Sequence, residues 1–353
     1  MTRRALTSGD AAEALRSSLL RIDRSLVSLI AARLNIADVL GGVKRSEGMP
    51  VYDRARELTV ASLLAEEARS LGVPDSLVKE IYFMLARESR CRQLYCPEAL
   101  RVAFYGYGRM ARMLAGIMSR GGCWVAITGR SPEKAQEAAQ AVGARYMEPR
   151  RAIDWADMLV YTVPSTAAPG LLREHLPMLR ESMLVADIAS VKTPLVEKIA
   201  PLLGEGSPEY VSLHPLFGPL DCPAGENIAL VPVKLEKWRP RLEKLFAGLG
   251  LNPVYVTAEE HDRVMAVNQV LHHLVYDLYR EAARILHEKL EIDPGRSKEL
   301  VTWSLRRTES IAARLEQLHN VVKEIRRENP YTEEVFRALS QALQQLAKDA
   351  QVK

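Results

Sequence analysis

The chain has 353 residues, which is long for a single domain and predicts two or three compact units, each with its own core. Hydrophobic residues make up 48% of it and charged residues 26%, as in soluble globular proteins. Because 48 basic residues face 44 acidic ones and no long basic run occurs, the net charge of +4 argues against nucleic acid as a partner and is compatible with a small anion.

Three helices, with no strand, are predicted for the N-terminal part of the chain. The first carries apolar residues at steps of four and three from Leu15 to Leu40, and no proline interrupts it between about residues 10 and 46. SEGMPVY then turns the chain, a second helix covers about residues 53–71, and GVPDS opens a third. One position of the apolar seam is Arg33, and because an unpartnered buried charge is costly, Arg33 must reach either solvent or an anionic group.

From CPEALRVAFYGYG onward the pattern changes to short apolar runs that are rich in β-forming residues. The runs are RVAFY, WVAITG, MLVYTVP, MLVADIA and YVSLHP, and helical stretches separate them. This alternation predicts a parallel sheet covered by helices on both faces. After about Thr257 amphipathic helices continue to the end of the chain. We therefore expect an all-α three-helix module at residues 1–97, an α/β Rossmann domain at 98–256 and an all-α domain at 257–353.

The four cysteines, at positions 91, 96, 123 and 222, form no CxxC pair and have no histidine at ligand spacing. Their pattern argues against structural zinc and against a disulfide framework, and it favours a reducing cytoplasm. The N-terminal stretch lacks an apolar core followed by a cleavage site, and no uninterrupted run reaches about 18 apolar residues. We expect a cytoplasmic protein that is neither secreted nor membrane-spanning and that holds no metal.

RVAFYGYGRMARML places Gly106, Gly108 and Ala111 in a GxGxxA turn between a predicted strand and a predicted helix. In such a turn the backbone amides and the helix N-terminus receive a pyrophosphate, so we expect a dinucleotide here, with Arg109 and Met110 also at the cofactor. The strand WVAITGR follows about 20 residues later, where the ribose of such a cofactor is bound.

The ribose position favours NADP over NAD. An acidic residue there would bind the 2′-hydroxyl of NAD, but this strand ends in Gly129, Arg130 and Ser131, which suit a 2′-phosphate. The alternative is that Arg130 is a solvated loop residue and that NAD binds.

Two later strands end in polar groups. ADIASVKTP carries Ser190 and Lys192, and SLHPLFGP carries His214. A single histidine after a strand is more often structural than catalytic. Because ligands of open α/β sheets bind outside the carboxyl ends of the strands, His214 is nevertheless the first candidate for a general base.

GYGRMA, DIASVK and HPLFGP, followed by an all-helical region, resemble the prephenate dehydrogenase family over about residues 100–320. The resemblance implies that a hydride leaves the substrate ring for a nicotinamide and that loss of carbon dioxide then gives 4-hydroxyphenylpyruvate. It makes His214 the base that accepts the proton of the ring hydroxyl. It makes Ser190 a hydrogen-bonding neighbour of that histidine and of the substrate.

The same resemblance implies a substrate side in the C-terminal helices. The family holds a substrate carboxylate with an arginine, and WSLRRTESIAARL is similar to that segment through Arg306, with Arg307 as the alternative. NQVLHHL resembles a helix that lines the substrate side through Gln269 and His273. Polar residues on an amphipathic helix more often face water.

The polar positions of the N-terminal module resemble the all-helical chorismate mutase family over about residues 10–95. Chorismate becomes prephenate by an internal rearrangement, so catalysis consists of holding the reactive shape and stabilising the charge that develops at the ether bond. The resemblance implies that arginines bind the two carboxylates, that Lys44 and Gln93 donate to the ether oxygen, that Glu57 holds the ring hydroxyl and that Ser89 assists at a carboxylate. The matching positions are Arg16, Arg33, Lys44, Asp53, Arg56, Glu57, Ser89 and Gln93.

Helix geometry adds a statement about assembly. Arg16 and Arg33 are 17 residues apart on one predicted helix, which is about 25 Å of rise and roughly 100° of rotation. One small molecule cannot contact both from a single chain. If both serve one site, Arg16 comes from a second copy, which predicts an intertwined homodimer whose interface covers the rest of the apolar seam.

The product expected of the first domain is the substrate expected of the second. We therefore interpret the chain as a bifunctional enzyme that carries out two successive steps towards tyrosine on chorismate and prephenate. One alternative is a monofunctional prephenate or arogenate dehydrogenase with a non-catalytic helical dimerisation module. A second is a reductase of another class, acting on a 3-hydroxyacid or an imine.

Overall fold

The computed structural model describes residues 8–350. The chain folds into two compact units. The first unit comprises Met1–Leu159, Pro215–Ile228 and Lys237–Pro253, and the second comprises Val160–His214, Ala229–Glu236 and Val254–Lys353. Both units are therefore built from separated stretches of sequence.

The N-terminal module consists of three helices, as predicted: α1 (Ser8–Glu47), α2 (Arg54–Ser70) and α3 (Asp75–Gln93). The Asp53 carboxylate caps α2 by accepting a hydrogen bond from the Arg56 amide at 2.9 Å. Small residues let the helices approach closely, because a Cβ added at Gly41 of α1 would lie 3.1 Å from the backbone of α3 at Gln93. α2 and α3 pack through a small apolar cluster around Ala61, Tyr82 and Ala86.

Only part of the length and circumference of α1 packs against the rest of the chain. The apolar seam positions other than Arg33 remain between 46% and 70% exposed. These positions are Leu15, Leu19, Ile22, Leu26, Leu29, Ile36 and Leu40.

The strands form one eight-stranded sheet in the order β3-β2-β1-β4-β5-β6-β7-β8. The pairs β1/β2, β2/β3 and β5/β6 are parallel, and the first six strands follow the order of dinucleotide-binding sheets. The Rossmann-type fold expected from the sequence is therefore present. The strands are β1 (Arg101–Tyr105), β2 (Trp124–Thr128), β3 (Arg145–Tyr146), β4 (Met158–Tyr161), β5 (Leu184–Asp187), β6 (Glu209–Pro215), β7 (Asn227–Lys234) and β8 (Asn252–Tyr255).

Helices follow most of these strands. Two of the helices, α4 and α5, begin at residues that favour a helix N-terminus. α4 begins directly after the glycine turn, and α5 is capped by Ser131, whose hydroxyl accepts from the Lys134 amide. The helices are α4 (Arg109–Gly121), α5 (Pro132–Ala141), α6 (Pro149–Trp155), α7 (Ala168–His175), α8 (Thr193–Ile199) and α9 (Arg239–Gly248), with short 3-10 turns at Leu176–Met178 and Ala200–Leu202.

The C-terminal part is helical, as expected. A π-helical segment, Ala266–Leu271, lies between its first two α-helices. Val191, Ala266, Val270 and Ile325 lie in its apolar core. The helices are α10 (Ala258–Met265), α11 (His272–Lys289), α12 (Pro294–Glu299), α13 (Trp303–Glu316), α14 (His319–Glu328) and α15 (Thr332–Asp349).

The cysteines correct the expectation that the chain has no disulfides. Cys91 is bonded to Cys222 with a Cα–Cα distance of 5.8 Å, and Cys96 to Cys123 with one of 5.3 Å. The partners are 131 and 27 residues apart in sequence, so spacing alone does not reveal the pairs. Both disulfides lie within the first unit.

One helix, α1, is long and apolar enough to cross a membrane by length and composition alone. Within Ala11–Glu47 an 18-residue window has a mean hydropathy of 1.6, and 11% of it is buried inside the chain. Charged residues interrupt this window, so it contains no continuous apolar run. Core helices and N-terminal signals have the same length and composition, so it is weak evidence for a membrane span.

Candidate active sites

The glycine turn after β1 has the backbone that a dinucleotide site requires. Gly106 has φ +134°, which favours glycine, and its amide donates to the Thr128 carbonyl at 2.9 Å. Gly108 caps α4 without a side-chain hydrogen bond, and a Cβ added there would meet nothing within 4 Å. The N-terminus of α4 is therefore open to an anion, and these residues fit a cofactor pyrophosphate.

The end of β2 is shaped to lie against this turn. Gly129 has φ +156°, and a Cβ there would lie 3.1 Å from the ring of Tyr107. The Thr128 hydroxyl oxygen is buried and has no hydrogen-bond partner among the described residues. Such an orphaned group beside the glycine turn is compatible with a ligand that completes the site.

Arg130 and Ser131 differ in their availability to a cofactor. The Arg130 side chain is exposed at the end of β2. The Ser131 hydroxyl donates to the Glu133 carboxylate at 2.9 Å. A hydrogen bond from the Glu133 backbone amide and this one hold the pKa of Glu133 below its ordinary value. Of the other two predicted cofactor residues, Arg109 is exposed and Met110 partly buried in the first turn of α4.

His214, at the end of β6, is buried and belongs to a chain of hydrogen bonds. Its Nδ1 lies 2.8 Å from Nε2 of His261, and Nδ1 of His261 lies 2.8 Å from the Asp262 carboxylate. Because the carboxylate only accepts, His261 donates from Nδ1 and accepts at Nε2, so His214 donates from Nδ1. Nε2 of His214 is left as a lone pair that can take a proton.

The charge state of His214 suits that role. Burial holds its pKa well below the ordinary value, and the positive Lys192 and the neighbouring His261 act in the same direction. Burial alone would raise the pKa of Asp262, but hydrogen bonds from His261 and the amides of Thr193 and Lys192 keep it lowered. A neutral imidazole backed by a carboxylate is therefore the stable state at neutral pH.

Lys192 lies close to His214 and is fully buried. Its Nζ donates to the Ser212 hydroxyl at 2.8 Å and the Leu213 carbonyl at 2.7 Å, and lies 3.7 Å from the Asp187 carboxylate. Burial lowers its pKa to about 8, against the opposing effect of Asp187 and Asp262. Ser190 lies partly buried in the loop between β5 and Lys192.

The other residues predicted on the substrate side differ from one another. Arg306 is exposed on α13, and the Arg307 guanidinium lies 4.0 Å from the Trp303 ring centroid. Gln269 Oε1 and His273 Nδ1 are buried without a hydrogen-bond partner among the described residues. Burial, with the positive His272 and Arg326, lowers the pKa of His273 to about 4.

The seam arginine of α1 has partners that the sequence did not indicate. Arg33 donates to the Ser89 hydroxyl at 2.7 Å and to the Leu85 carbonyl at 3.1 Å. Its guanidinium also lies 5.9 Å from the Tyr82 ring centroid. Ser89 was predicted to assist at a substrate carboxylate, and its hydroxyl is in contact with Arg33.

Lys44, on the last turn of α1, is half-buried and donates to the Val51 carbonyl at 2.7 Å. Burial lowers its pKa, while Glu57 and Asp53 act to raise it and Arg90 to lower it. Gln93 is buried against α1. Lys44 and the two predicted carboxylates therefore lie within electrostatic range of one another.

The predicted residues of α2 lie at its start. Asp53 and Arg56 are exposed, and Glu57 forms an ion pair with Arg90 at 2.5 Å. Arg16 lies far along α1 and is 75% exposed at its side chain, and among residues 8–350 its ion-pair partner is Glu13, one turn away. The structure therefore brings Arg33 to Ser89 and Lys44 into the range of Glu57 and Asp53, and it leaves Arg16 apart.

Three residues of these sites were not predicted from the sequence. His261 and Asp262 lie 47 and 48 residues after His214, and an HD pair near a helix start gives no signal of its own. Arg90 lies between Ser89 and Gln93 on α3, and an arginine on a charged helix is typical of a solvated face. Among the described residues no group of three or more histidine, cysteine or acidic side chains could hold a metal ion.

Family models match two stretches of the chain. The model described as chorismate mutase type II matches residues 15–94, and the model described as prephenate dehydrogenase, nucleotide-binding domain, matches residues 114–227. A protein of Enterobacter agglomerans called T-protein is 26% identical over 291 residues, which are 79% of this chain and 72% of that protein. The T-protein of Haemophilus influenzae is 26% identical over 75% of this chain and 68% of its own.

Solved structures agree with the fold. A prephenate dehydrogenase from A. aeolicus, solved with hydroxyphenyl propionate and NAD+, has a TM-score of 0.54 at 21% identity, covering 71% of this chain and 92% of that one. The arogenate dehydrogenase of Synechocystis has a TM-score of 0.53 at 18% identity, covering 71% of this chain and 93% of that one. At these identities the likeness concerns the fold.

Proposed function

The chain joins a domain of the type II chorismate mutase family to a nucleotide-binding domain of the prephenate dehydrogenase family, and we propose that it uses them in succession. The first domain converts chorismate to prephenate. The second oxidises prephenate and releases carbon dioxide to give 4-hydroxyphenylpyruvate. The observation that carries the proposal is the presence, in one chain, of both a cationic cluster for a dicarboxylate and a buried neutral histidine for an alcohol.

The mutase site acts by binding rather than by covalent chemistry. Arg33 and Arg56 bind the carboxylates of chorismate, and Ser89 orients Arg33. Lys44 and Gln93 donate to the ether oxygen, where negative charge develops as the bond breaks. Glu57 accepts from the ring hydroxyl, beside Asp53. A rate acceleration of about 10⁶ requires roughly 8 kcal/mol, which several charge-assisted hydrogen bonds can supply.

The dehydrogenase step requires removal of the hydroxyl proton of prephenate. Nε2 of His214 accepts that proton, because its Nδ1 is already committed to His261. Ser190 hydrogen-bonds to the histidine or to the substrate, and Arg306 holds a substrate carboxylate. A bound nicotinamide would supply the hydride acceptor for the ring carbon that carries this hydroxyl. Departure of carbon dioxide then makes the ring aromatic.

We propose NADP as the favoured cofactor. The glycine turn receives the pyrophosphate, and the exposed Arg130 binds the 2′-phosphate. Since Ser131 is engaged by Glu133, Arg130 carries this preference. Arg130→Ala should therefore raise the KM for NADP about 10-fold or more and leave the KM for NAD within about 2-fold. Equal changes for both cofactors, or none, would contradict this assignment.

We further propose that the protein is a cytoplasmic homodimer and that its α1 helices do not enter a membrane. A second copy would cover the exposed apolar seam and bring its Arg16 to the site of Arg33. Lipid is the competing occupant of this face, since α1 is long and apolar enough to span. Arg33 favours the dimer over lipid. Its hydrogen bonds to Ser89 and Leu85 hold a charge in the middle of the seam, and a charge is costly inside a membrane.

One experiment tests both steps: the purified chain receives chorismate with NADP or NAD, and reduced cofactor and 4-hydroxyphenylpyruvate are measured. Both should form, and faster with NADP. Prephenate and arogenate are then supplied directly, which separates the dehydrogenase from the mutase. If neither compound is oxidised, the chain is a reductase of another class.

Two variants assign the reactions to their domains. Arg33→Ala should abolish prephenate formation while oxidation of supplied prephenate continues. His214→Asn should lower the dehydrogenase kcat by at least about 10²-fold with little change in prephenate binding. If Arg33→Ala affects neither reaction, the helical module is a non-catalytic dimerisation domain and the chain is monofunctional.

A further inference from the structure

Arg90 connects the mutase site to a segment of the dehydrogenase part. Its Nη1 donates to Glu57 Oε2 at 2.5 Å, and its Nε donates to the Ala224 carbonyl at 3.0 Å. Arg90 and Ala224 are 134 residues apart in sequence. The Arg90 and Glu57 side chains are only 13% and 16% exposed, so this ion pair is shielded from water. All three residues belong to the first unit.

The segment Cys222–Gly225, which we call the clasp, is shaped around this guanidinium. Gly225 has φ +103°, and a Cβ added there would lie 2.9 Å from Arg90 Nη2. The Gly225 amide donates to the Gly250 carbonyl at 2.6 Å, which fixes the turn. The clasp therefore leaves space for one arginine and for little else.

Two further links fasten the clasp to α3. The Arg87 guanidinium donates to the Cys222 carbonyl at 3.2 Å, and the disulfide joins Cys222 to Cys91. Arg90 and Cys91 lie three and four residues after Arg87, so the three side chains share one face of the helix. Of the two arginines on this face, Arg90 is the one paired with a carboxylate assigned to the substrate.

The pair with Arg90 gives Glu57 an orientation and a charge balance. Arg90 holds Oε2, so Oε1 is the oxygen that can accept from the ring hydroxyl of a bound substrate. The carboxylates of Glu57 and Asp53 would otherwise repel a substrate that carries two negative charges. The Arg90 guanidinium, in contact with Glu57, offsets the charge of that carboxylate. The Tyr52 ring, with its centroid 4.8 Å from the guanidinium, restricts Arg90 further.

We propose that Arg90 is a positioning residue of the mutase site and that the clasp of the dehydrogenase part holds it in place. The proposal rests on the mutase function proposed above. Its consequence is that conversion of chorismate depends on residues 222–225, which lie outside the mutase domain.

The test compares Arg90→Gln with Arg87→Gln in the full chain. Both variants lose a hydrogen bond to the clasp, but only Arg90→Gln releases Glu57. Arg90→Gln should lower the mutase kcat roughly 10- to 100-fold, whereas Arg87→Gln should change it less than about 2-fold. Arg90→Lys, which keeps the charge, should recover part of the loss. Oxidation of supplied prephenate, which should be unchanged in all three, reports that the chain is folded.

The pH profile separates positioning from a merely structural effect. Arg90 acts to lower the pKa of Lys44, and Glu57 acts to raise it. Without Arg90 the Lys44 ammonium persists to higher pH. The alkaline limb of the mutase pH profile should therefore move to higher pH in Arg90→Gln and stay in place in Arg87→Gln. A merely structural effect would lower the mutase rate at every pH without shifting the alkaline limb.

A substitution in the clasp itself gives an independent test. Gly225→Ala brings a methyl group against Arg90 and should lower mutase kcat about 10-fold with dehydrogenase turnover retained. The proposal is overturned if Arg90→Gln keeps the wild-type rate and profile, or if Arg87→Gln loses as much as Arg90→Gln. A wild-type chain that does not convert chorismate would instead overturn the mutase function, and this proposal with it.

Discussion

The direction of each proton around His214 follows from the last member of its hydrogen-bond chain. The Asp262 carboxylate accepts from His261 and from the amides of Lys192 and Thr193, at 2.7 to 2.8 Å. Two backbone donors fix this carboxylate, so His261 is fixed in turn and can only accept from His214. An orientation set by backbone amides is more rigid than one set by a flexible side chain.

His261 is therefore expected to position the base. His261→Leu removes the acceptor for His214 Nδ1 and should lower dehydrogenase kcat by about 10²-fold, whereas His261→Gln keeps an acceptor and should lose less. Steady-state kinetics with prephenate measure both effects, and His319→Gln, at an exposed histidine, is the control.

Local context was enough to predict some of the candidate site residues and not others. His214 and Ser190 were predicted because they follow strands, and strand ends converge in this fold. For Arg33 the sequence required solvent or an anion, but its partners in the chain are a hydroxyl and a carbonyl from α3. Such partners come from a helix about 50 residues away, and no local pattern encodes that contact.

At the scale of elements, cap residues defined the helices well. α1 and α2 begin and end, and α3 begins, within about two residues of their predicted bounds, because Asp53 and the glycines after α1 and α2 stop or start helices by their own conformations. β3, β7 and β8 were not predicted. Pro232 lies in β7 and Pro253 in β8, and proline inside a short apolar run reads as an interruption.

The exposed seam of α1 makes a prediction about assembly. Leu26→Glu places a charge in the middle of the seam and should convert the proposed dimer to a monomer, with loss of mutase activity because the Arg16 proposed to come from a second copy would be missing. Asn35→Glu adds the same charge on the opposite side of α1, about 180° away, and should leave both properties unchanged. Sedimentation velocity measures the mass of each variant.

Vesicles distinguish the competing occupant of this face. Wild-type protein that floats with phosphatidylcholine vesicles and is monomeric without them would contradict the dimer and favour a membrane-associated α1. A dimer that stays with the soluble fraction would agree with the seam as a protein interface.

The disulfides make a second prediction at this scale. Together they tie the end of α3, the chain after it and β2 into the first unit, so their loss frees the unfolded chain more than the folded one. The variant with Cys91, Cys222, Cys96 and Cys123 all replaced by Ser should have a Tm lower by about 5–15 °C. Wild type with dithiothreitol should show the same change. Four reactive thiols in denatured, unreduced protein would contradict the assigned bonds.

For the whole molecule, the sequence predicts three contiguous domains, and the contacts group the chain into two compact units. The first unit takes in Pro215–Ile228 and Lys237–Pro253, which follow strands of the second in sequence. The sequence suggested contiguous domains because hydrophobic periodicity reports only local structure. Contacts such as those of the clasp with α3 join residues that are far apart in sequence. They depend on tertiary packing, which local periodicity does not report.

Buried histidines make a prediction about the whole chain. Burial lowers the pKa values of His175, His214 and His273, the last to about 4. Between pH 6.5 and about 4 the unfolded chain takes up protons that these folded sites refuse, so the free energy of unfolding should fall as the pH falls. Each such proton contributes a slope of about 1.4 kcal/mol per pH unit, and above pH 6.5 the effect is absent.

Urea unfolding of wild type between pH 4 and pH 8 measures this slope. His273→Gln removes one of the three groups, and because His273 Nδ1 has no hydrogen-bond partner among the described residues, the replacement sacrifices no bond at that atom. The variant should be less sensitive to acid than wild type, whereas His319→Gln, at an exposed histidine, should follow the wild-type curve. If His273→Gln and wild type lose stability in parallel, His273 is protonated in the folded chain, and its burial does not exclude the charge.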